Sequence, residues 1–139
     1  MTSSKDRTCR VWDTTILSCC AIATGHTDAI GSVGIAKNKA TFASRAAFIV
    51  SGGADKVLKK WSFPAHELEA TSSSSFSSSS NKKKILALQV SHSVRAHDKD
   101  INAIAIAPND SIIASGSQVF HIRLSIYLIV AFFTFLSGY

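Results

Sequence analysis

Gly25-His26-Thr27-Asp28-Ala29-Ile30, followed by Ile49-Val50-Ser51-Gly52-Gly53-Ala54-Asp55-Lys56-Val57-Leu58-Lys59-Lys60-Trp61-Ser62, is the stretch on which the fold turns. It sets four polar or aromatic residues, His26, Ser51, Asp55 and Trp61, among short runs that alternate apolar and polar positions. Such period-two runs, bounded by Gly, Asp and Ser, read as antiparallel β-structure.

The same order recurs on both sides. Upstream, Asp6-Arg7-Thr8-Cys9-Arg10-Val11-Trp12-Asp13 repeats the run from Asp55 to Ser62, with Trp12 six positions after Asp6 as Trp61 follows Asp55. Thr2 precedes Asp6 by the same four positions that separate Ser51 from Asp55, but this copy has no His. Downstream, Ala96-His97-Asp98-Lys99-Asp100-Ile101 echoes the His26 segment, and Ile113-Ala114-Ser115-Gly116-Ser117 echoes Ile49 to Gly53. The third copy should then place its Asp at position 119 and its Trp near 125. Those positions hold Val119 and Ser125, and the pattern stops after Gln118.

A repeat of about 40–45 residues with four short strands is the blade of a β-propeller. The strands are expected at 8–13, 16–23, 29–36, 47–52, 56–62, 85–91, 101–107 and 111–116. Two insertions stretch the period. One falls around Lys37–Ala46; the other is the segment 63–84, with the serine run at 72–80 and the triplet Lys82, Lys83 and Lys84. Serine-rich sequence buries too little apolar surface to offset its ordering entropy, so this insertion is expected to be disordered.

Gly25-His26 with Ser51, Asp55 and Trp61 resembles the WD-repeat (WD40) family. The resemblance implies a hydrogen-bonded structural tetrad of His26, Ser51, Asp55 and Trp61 inside one blade. It also implies partial tetrads at Thr2, Asp6 and Trp12 and at His97 and Ser115. The physics agrees, because a buried imidazole or indole N–H needs a partner, and an unpaired one costs roughly 1–3 kcal/mol. A Ser-His-Asp hydrolase triad is the competing reading, and it gives the Trp at fixed offset no role.

The fold expected is therefore all-β, an incomplete WD40 propeller of about two to two and a half blades with a hydrophobic C-terminal tail, for which a helix is one open form. The divisions are 1–62, half a blade plus one full blade; 63–84, the Ser/Lys-rich insertion; 85–118, a partial repeat; and 119–139, a tail outside the pattern. Met1 falls inside a blade, so upstream strands are expected to be missing.

Composition adds less. Fifteen basic residues against nine acidic ones give a formal charge of +6 and favour acidic partners. Lys56, Lys59 and Lys60, with Lys82, Lys83 and Lys84, are the candidate contacts to RNA or an acidic partner; a solvated basic face is the alternative. Cys9, Cys19 and Cys20 show no metal-type spacing and read as small core fillers in a reducing compartment. Cys19 and Cys20, adjacent on a strand, should point to opposite faces. No phosphate loop, metal cluster or paired carboxylates appear, so no catalytic, metal or cofactor residue is expected.

In the tail, the uncharged run Leu124–Leu136 spans 13 residues, short of the roughly 20 of a membrane-crossing helix. Gln118-Val119 can be encoded as CAG followed by GT, the sequence where an exon meets an intron. A retained intron and a membrane anchor thus stand as alternatives for 119–139.

The strings Ser4-Lys5-Asp6-Arg7-Thr8-Cys9-Arg10-Val11-Trp12-Asp13 and Ala96-His97-Asp98-Lys99-Asp100-Ile101-Asn102 resemble the transducin beta-like branch of the family, nucleolar subunits of the small-subunit processome. Pro108-Asn109-Asp110 and Ser115-Gly116-Ser117-Gln118 continue the likeness. That resemblance implies a non-enzymatic scaffold for small-subunit pre-rRNA processing, with protein subunits of a ribonucleoprotein as partners, weak or indirect RNA contact and no small-molecule substrate. It also implies residence in the nucleus and nucleolus. A generic WD-repeat adaptor in ubiquitin ligation or signalling, or a tail-anchored membrane protein, are the alternatives.

Overall fold

A computed structural model describes residues 1–38, 47–64, 85–118 and 122–126. The serine run, Lys82–Lys84 and the tail beyond 126 lie outside the described residues. Among the described residues eleven strands follow in order: β1 (Thr2–Ser3), β2 (Thr8–Asp13), β3 (Ser18–Thr24), β4 (Ile30–Ile35), β5 (Phe48–Gly53), β6 (Val57–Ser62), β7 (Leu86–Ala87), β8 (Gln89–Arg95), β9 (Ile101–Ile106), β10 (Ile112–Ser117) and β11 (Ile122–Ile126). They form three sheets: A, ordered β1-β2-β3-β7; B, ordered β4-β5-β6-β8; and C, ordered β9-β10-β11. Every pairing is antiparallel except β3 with β7. The architecture is all-β, a partial propeller in which sheet B is sandwiched between A and C.

Strand β5 shows why the sandwich forms. Its sequence, Phe-Ile-Val-Ser-Gly-Gly, is apolar on both faces, and all six residues are buried. Phe48 and Val50 pack toward sheet C with Leu58, Ile101, Ile106 and Ile113. Ile49 turns the other way and packs with Cys9, Ala21, Ala23 and Trp61 against sheet A. A strand buried on both faces is central to its domain. Gly52 sets how closely sheets B and C converge, since a Cβ there would come within 2.8 Å of Ile101 Cγ2, while a Cβ on Gly53 would overlap the Ala29 carbonyl just before the neighbouring strand β4.

The repeat is visible in individual hydrogen bonds. Ala54 N donates to Ala29 O at 2.9 Å, and Gln118 N donates to Asp100 O at 3.3 Å, at matching places in sheets B and C. Asp6 and Asp55 each accept from the backbone N–H two residues on, at 3.0 and 3.1 Å. The residue after each, Arg7 and Lys56, adopts a left-handed φ of 68° and 66°.

Four features depart from the sequence reading. The run expected as one strand over 85–91 is two strands broken at Leu88. The Leu88 side chain is buried between sheets A and B, and its N–H donates to Ile22 O at 2.8 Å. The chain thus leaves the edge of A and enters B. Second, Cys19 and Cys20 do not sit on a regular strand: a bulge between Val11 and Trp12 pairs Ala21 with Val11 and Cys19 with Trp12, leaving Cys20 as the extra residue. Both are half-buried, while Cys9 is fully buried. Third, the N-terminal copy contributes three strands, β1 to β3, and β7 joins its outer edge. Fourth, Ile122–Ile126, where a helix was one open form, are a strand paired with β10. No helix among the described residues is long and apolar enough to cross a membrane.

Candidate functional site

The most organised polar cluster lies in sheet B. Trp61 Nε1 donates to Ser51 Oγ at 2.7 Å. Ser51 Oγ lies 2.7 Å from His26 Nε2, and His26 Nδ1 lies 2.7 Å from Asp55 Oδ2. Asp55 also accepts from the N–H groups of Thr27 and Val57, at 3.2 and 3.1 Å. One arrangement of protons satisfies every atom: His26 protonated on Nδ1 donates to Asp55, Ser51 donates to His26 Nε2, and Trp61 donates to Ser51. The imidazole and indole planes meet at 51° with centroids 6.0 Å apart.

The strands account for this convergence. Ser51 sits on β5 and Trp61 on β6, two residues beyond the Ser51–Lys59 pair, so both face sheet A. The turn between these strands carries Asp55. His26 arrives from the β3–β4 connection, where Gly25 takes φ 138°, a conformation that favours glycine. Cys9 of sheet A closes the cluster from the other side. Burial raises its thiol pKa to about 11, and the nearby Ser51 hydroxyl pulls in the opposite direction.

Asp55, His26 and Ser51 thus stand in the order of a hydrolase triad, but the geometry does not suit one. Ser51 has no exposed surface, and its oxygen already receives the indole N–H. A nucleophile needs an open approach to its substrate.

The other candidate residues divide. In sheet A, Trp12 Nε1 donates to Thr2 Oγ1 at 2.9 Å, while Asp6 pairs with Arg10 at 2.8 Å instead of a His. In sheet C, His97 Nε2 lies 2.9 Å from Ser115 Oγ, and both are buried. The pairing of Ser125 with Ile113 puts Ser125 at the register that Trp61 holds opposite Ile49. Lys59 and Lys60 leave opposite faces of β6 by strand alternation, and the Lys60 ammonium lies 4.5 Å above the Phe48 ring. Lys56 lies in the β5–β6 turn, where its carbonyl accepts from Ala96 N at 3.1 Å. These three lysines therefore do not form one patch.

Asp110 is a site residue that the sequence reading passed over. Its carboxylate is buried and accepts from Lys37 N at 2.7 Å and Asn38 N at 2.9 Å, pinning the end of β4 to the β9–β10 hairpin. Asn-Asp-Ser after a proline signals a turn, but a reach of more than seventy residues leaves no local trace.

Blades with this architecture and this polar cluster define a class. The family model described as "WD domain, G-beta repeat" matches residues 17–62 and 88–118, more than half of the chain, and the chain belongs to that family. Among individual proteins, it is 36% identical over 118 residues to transducin beta-like protein 3 of Homo sapiens and 33% identical to that of Rattus norvegicus. It is 33% identical over 121 residues to U3 small nucleolar RNA-associated protein 13 of Saccharomyces cerevisiae. These alignments cover 83–84% of this chain but 13% of each relative, so the chain spans about an eighth of their length.

Proposed function

We propose that this WD-repeat chain is a non-catalytic scaffold in the ribonucleoprotein assembly that processes the small-subunit ribosomal RNA precursor, and that it resides in the nucleolus. The reading rests on one observation above others. Similarity runs over 118–121 residues, most of the chain, to proteins from mammals and from yeast, and the yeast name ties that relative to U3 small nucleolar RNA. The partners are protein subunits of the particle, with RNA contact weak or indirect. In this reading His26, Ser51, Asp55 and Trp61 hold the blade together, and Thr2, Asp6 and Trp12 with His97 and Ser115 do so in part. No cofactor enters it. Domain boundaries at 62, 84 and 118 follow the repeat, with β11 extending the third sheet beyond the last of them.

Function in this family depends on the surfaces that the blades present, so the test is one of association. The epitope-tagged chain is expressed in cells and recovered under native conditions, and the co-purifying RNA is probed. Enrichment of U3 small nucleolar RNA over the spliceosomal small nuclear RNAs is the expected result. Recovery with ubiquitin-ligase subunits and without U3 would replace the proposal with an adaptor role.

A further inference from the structure

We infer that the outer edge of sheet B, strand β8, is a strand-addition site for an extended acidic segment of a partner protein. The inference deepens the scaffold reading and rests on it.

Strand β8 is the last strand of its sheet, and among the described residues nothing pairs with its outer side. All seven of its residues are exposed. An edge of this kind presents a row of backbone N–H and C=O groups able to template another strand. The molecule itself shows that such an edge accepts one. In sheet A the equivalent outer strand, β3, carries β7 in parallel, with Ala21 opposite Leu86 and Ile22 opposite Ala87. Leu88 then anchors that short addition in the core.

The side chains specify the visitor. Register puts Lys60 opposite His92 and Leu58 opposite Val94, so Lys60, His92 and Val94 share the face toward sheet C. Lys59 lies opposite Ser93 and Val57 opposite Arg95, so Lys59 and Arg95 share the other face. Beyond the bulge, Val90 pairs with Trp61 and joins that second face. Each face of the edge thus offers basic groups and one half-exposed valine, Val94 at 39% and Val90 at 44% exposure. Neither β6 nor β8 contains an Asp or Glu. An added strand alternates its side chains between both faces. Carboxylates along it would meet His92 on one side and Arg95 on the other, with Lys59 and Lys60 one strand further in adding to the positive field and small apolar residues over the valines.

RNA would be attracted by the same charges but would gain nothing from the backbone edge, and this separates the two. A fluorescent peptide of alternating Glu and Val is titrated into the full chain and followed by anisotropy. A second peptide of the same sequence carries N-methyl groups on every amide, which keeps the charge and removes every backbone donor needed for edge pairing. Binding of the first and loss of the second is the expected pattern. The double variant His92→Glu/Arg95→Glu, both positions fully on the surface, should weaken the first peptide more than about tenfold because like charges now face it. An unchanged far-UV spectrum would verify that this variant is folded. Equal binding of both peptides would overturn the proposal, as would a single-stranded RNA that binds more tightly and displaces the peptide. The assay contains no other particle component, so it can fail while U3 association succeeds, and the reverse.

Discussion

Trp61 and Trp12 occupy the same place in two copies of one motif, yet they live in different environments. Both indoles donate to a hydroxyl ten residues earlier in the chain, Ser51 and Thr2. Trp61 has no exposed surface, whereas Trp12 is 41% exposed. Asp55 turns its carboxylate to a buried His; Asp6 turns its own to a solvated Arg10. The same local sequence thus makes a desolvated network in one sheet and an open one in the other. The difference lies in what covers it. Sheet A places Cys9, Ala21 and Ala23 over Trp61, and the β3–β4 connection supplies His26. A motif fixes which groups can bond, and the neighbouring sheet decides what those bonds are worth, because low local dielectric raises both the strength of a bond and the cost of losing it.

This contrast can be broken at the indoles first. Trp61→Ala removes the largest fully buried side chain and should cost about 3–5 kcal/mol, comparable to the whole stability of a small domain. Trp12→Ala should cost about 1 kcal/mol. Urea denaturation followed by far-UV circular dichroism measures both. Near-equal losses would show that the two sites are equivalent after all. Next in size, His26→Ala takes the imidazole from between Ser51 and Asp55, leaving the Ser51 hydroxyl proton without its acceptor while the Trp61, Thr27 and Val57 N–H bonds remain, and should cost roughly 1–3 kcal/mol. Thr2 holds the place of Ser51 in sheet A but its bond to Trp12 is exposed, so Thr2→Ala should be milder in the same denaturation.

Much of this fold is legible in the sequence, and the exceptions have physical reasons. Strands β2, β4, β5, β6, β9 and β10 carry apolar residues in short runs, continuous at the start of β5 and β10 and interrupted elsewhere, because one or both faces are buried. Strand β8 reads Gln-Val-Ser-His-Ser-Val-Arg and buries nothing, so no hydrophobic pattern marks its extent. The bulge at Cys20 and the break at Leu88 depend on how two sheets meet, which a single strand does not encode. Strand β11 lacks the motif's Asp and Trp, yet backbone pairing requires neither, and it keeps the register of its counterpart β6. Of the polar cluster, the repeat singled out His26, Ser51, Asp55 and Trp61, and the resemblance to WD repeats implied that they bond to one another. Asp110 escaped because its partners, Lys37 and Asn38, lie in another blade.

Cys9 sharpens the contrast chemically. Its thiol is fully buried beside Ser51, whereas Cys19 and Cys20 are half-buried. A maleimide should therefore label Cys19 and Cys20 first, and Cys9 only as the chain unfolds. Burial also raises the Cys9 pKa from 9.0 to about 11, because desolvation disfavours the thiolate. The folded state then holds its proton more tightly than the unfolded one. The resulting stability is present in full below pH 9 and is lost as pH rises through about 11. Urea midpoints for the native chain should fall over that range, and those for Cys9→Ala should fall less.

The smallest effect belongs to Asp6, and its smallness is the point. The hydroxyl and N–H of Thr8, helped by Ser4 and Arg10, lower its pKa from 3.8 to about 2. Here the folded state binds its proton less tightly than the unfolded one. The stabilisation is therefore present above pH 3.8 and fades as pH falls through about 2. Because Asp6 is exposed, water competes for every one of these bonds and screens the Arg10 pair. Asp6→Asn should thus shift the acid-unfolding midpoint slightly, and by less still in high salt. Asp55→Asn, at the matching place in sheet B, replaces a carboxylate facing a buried imidazole, and salt should leave its larger effect unchanged. A salt response of equal size at both positions would mean that the cover over sheet B does not desolvate the cluster, and the contrast between the two tryptophans would need another cause.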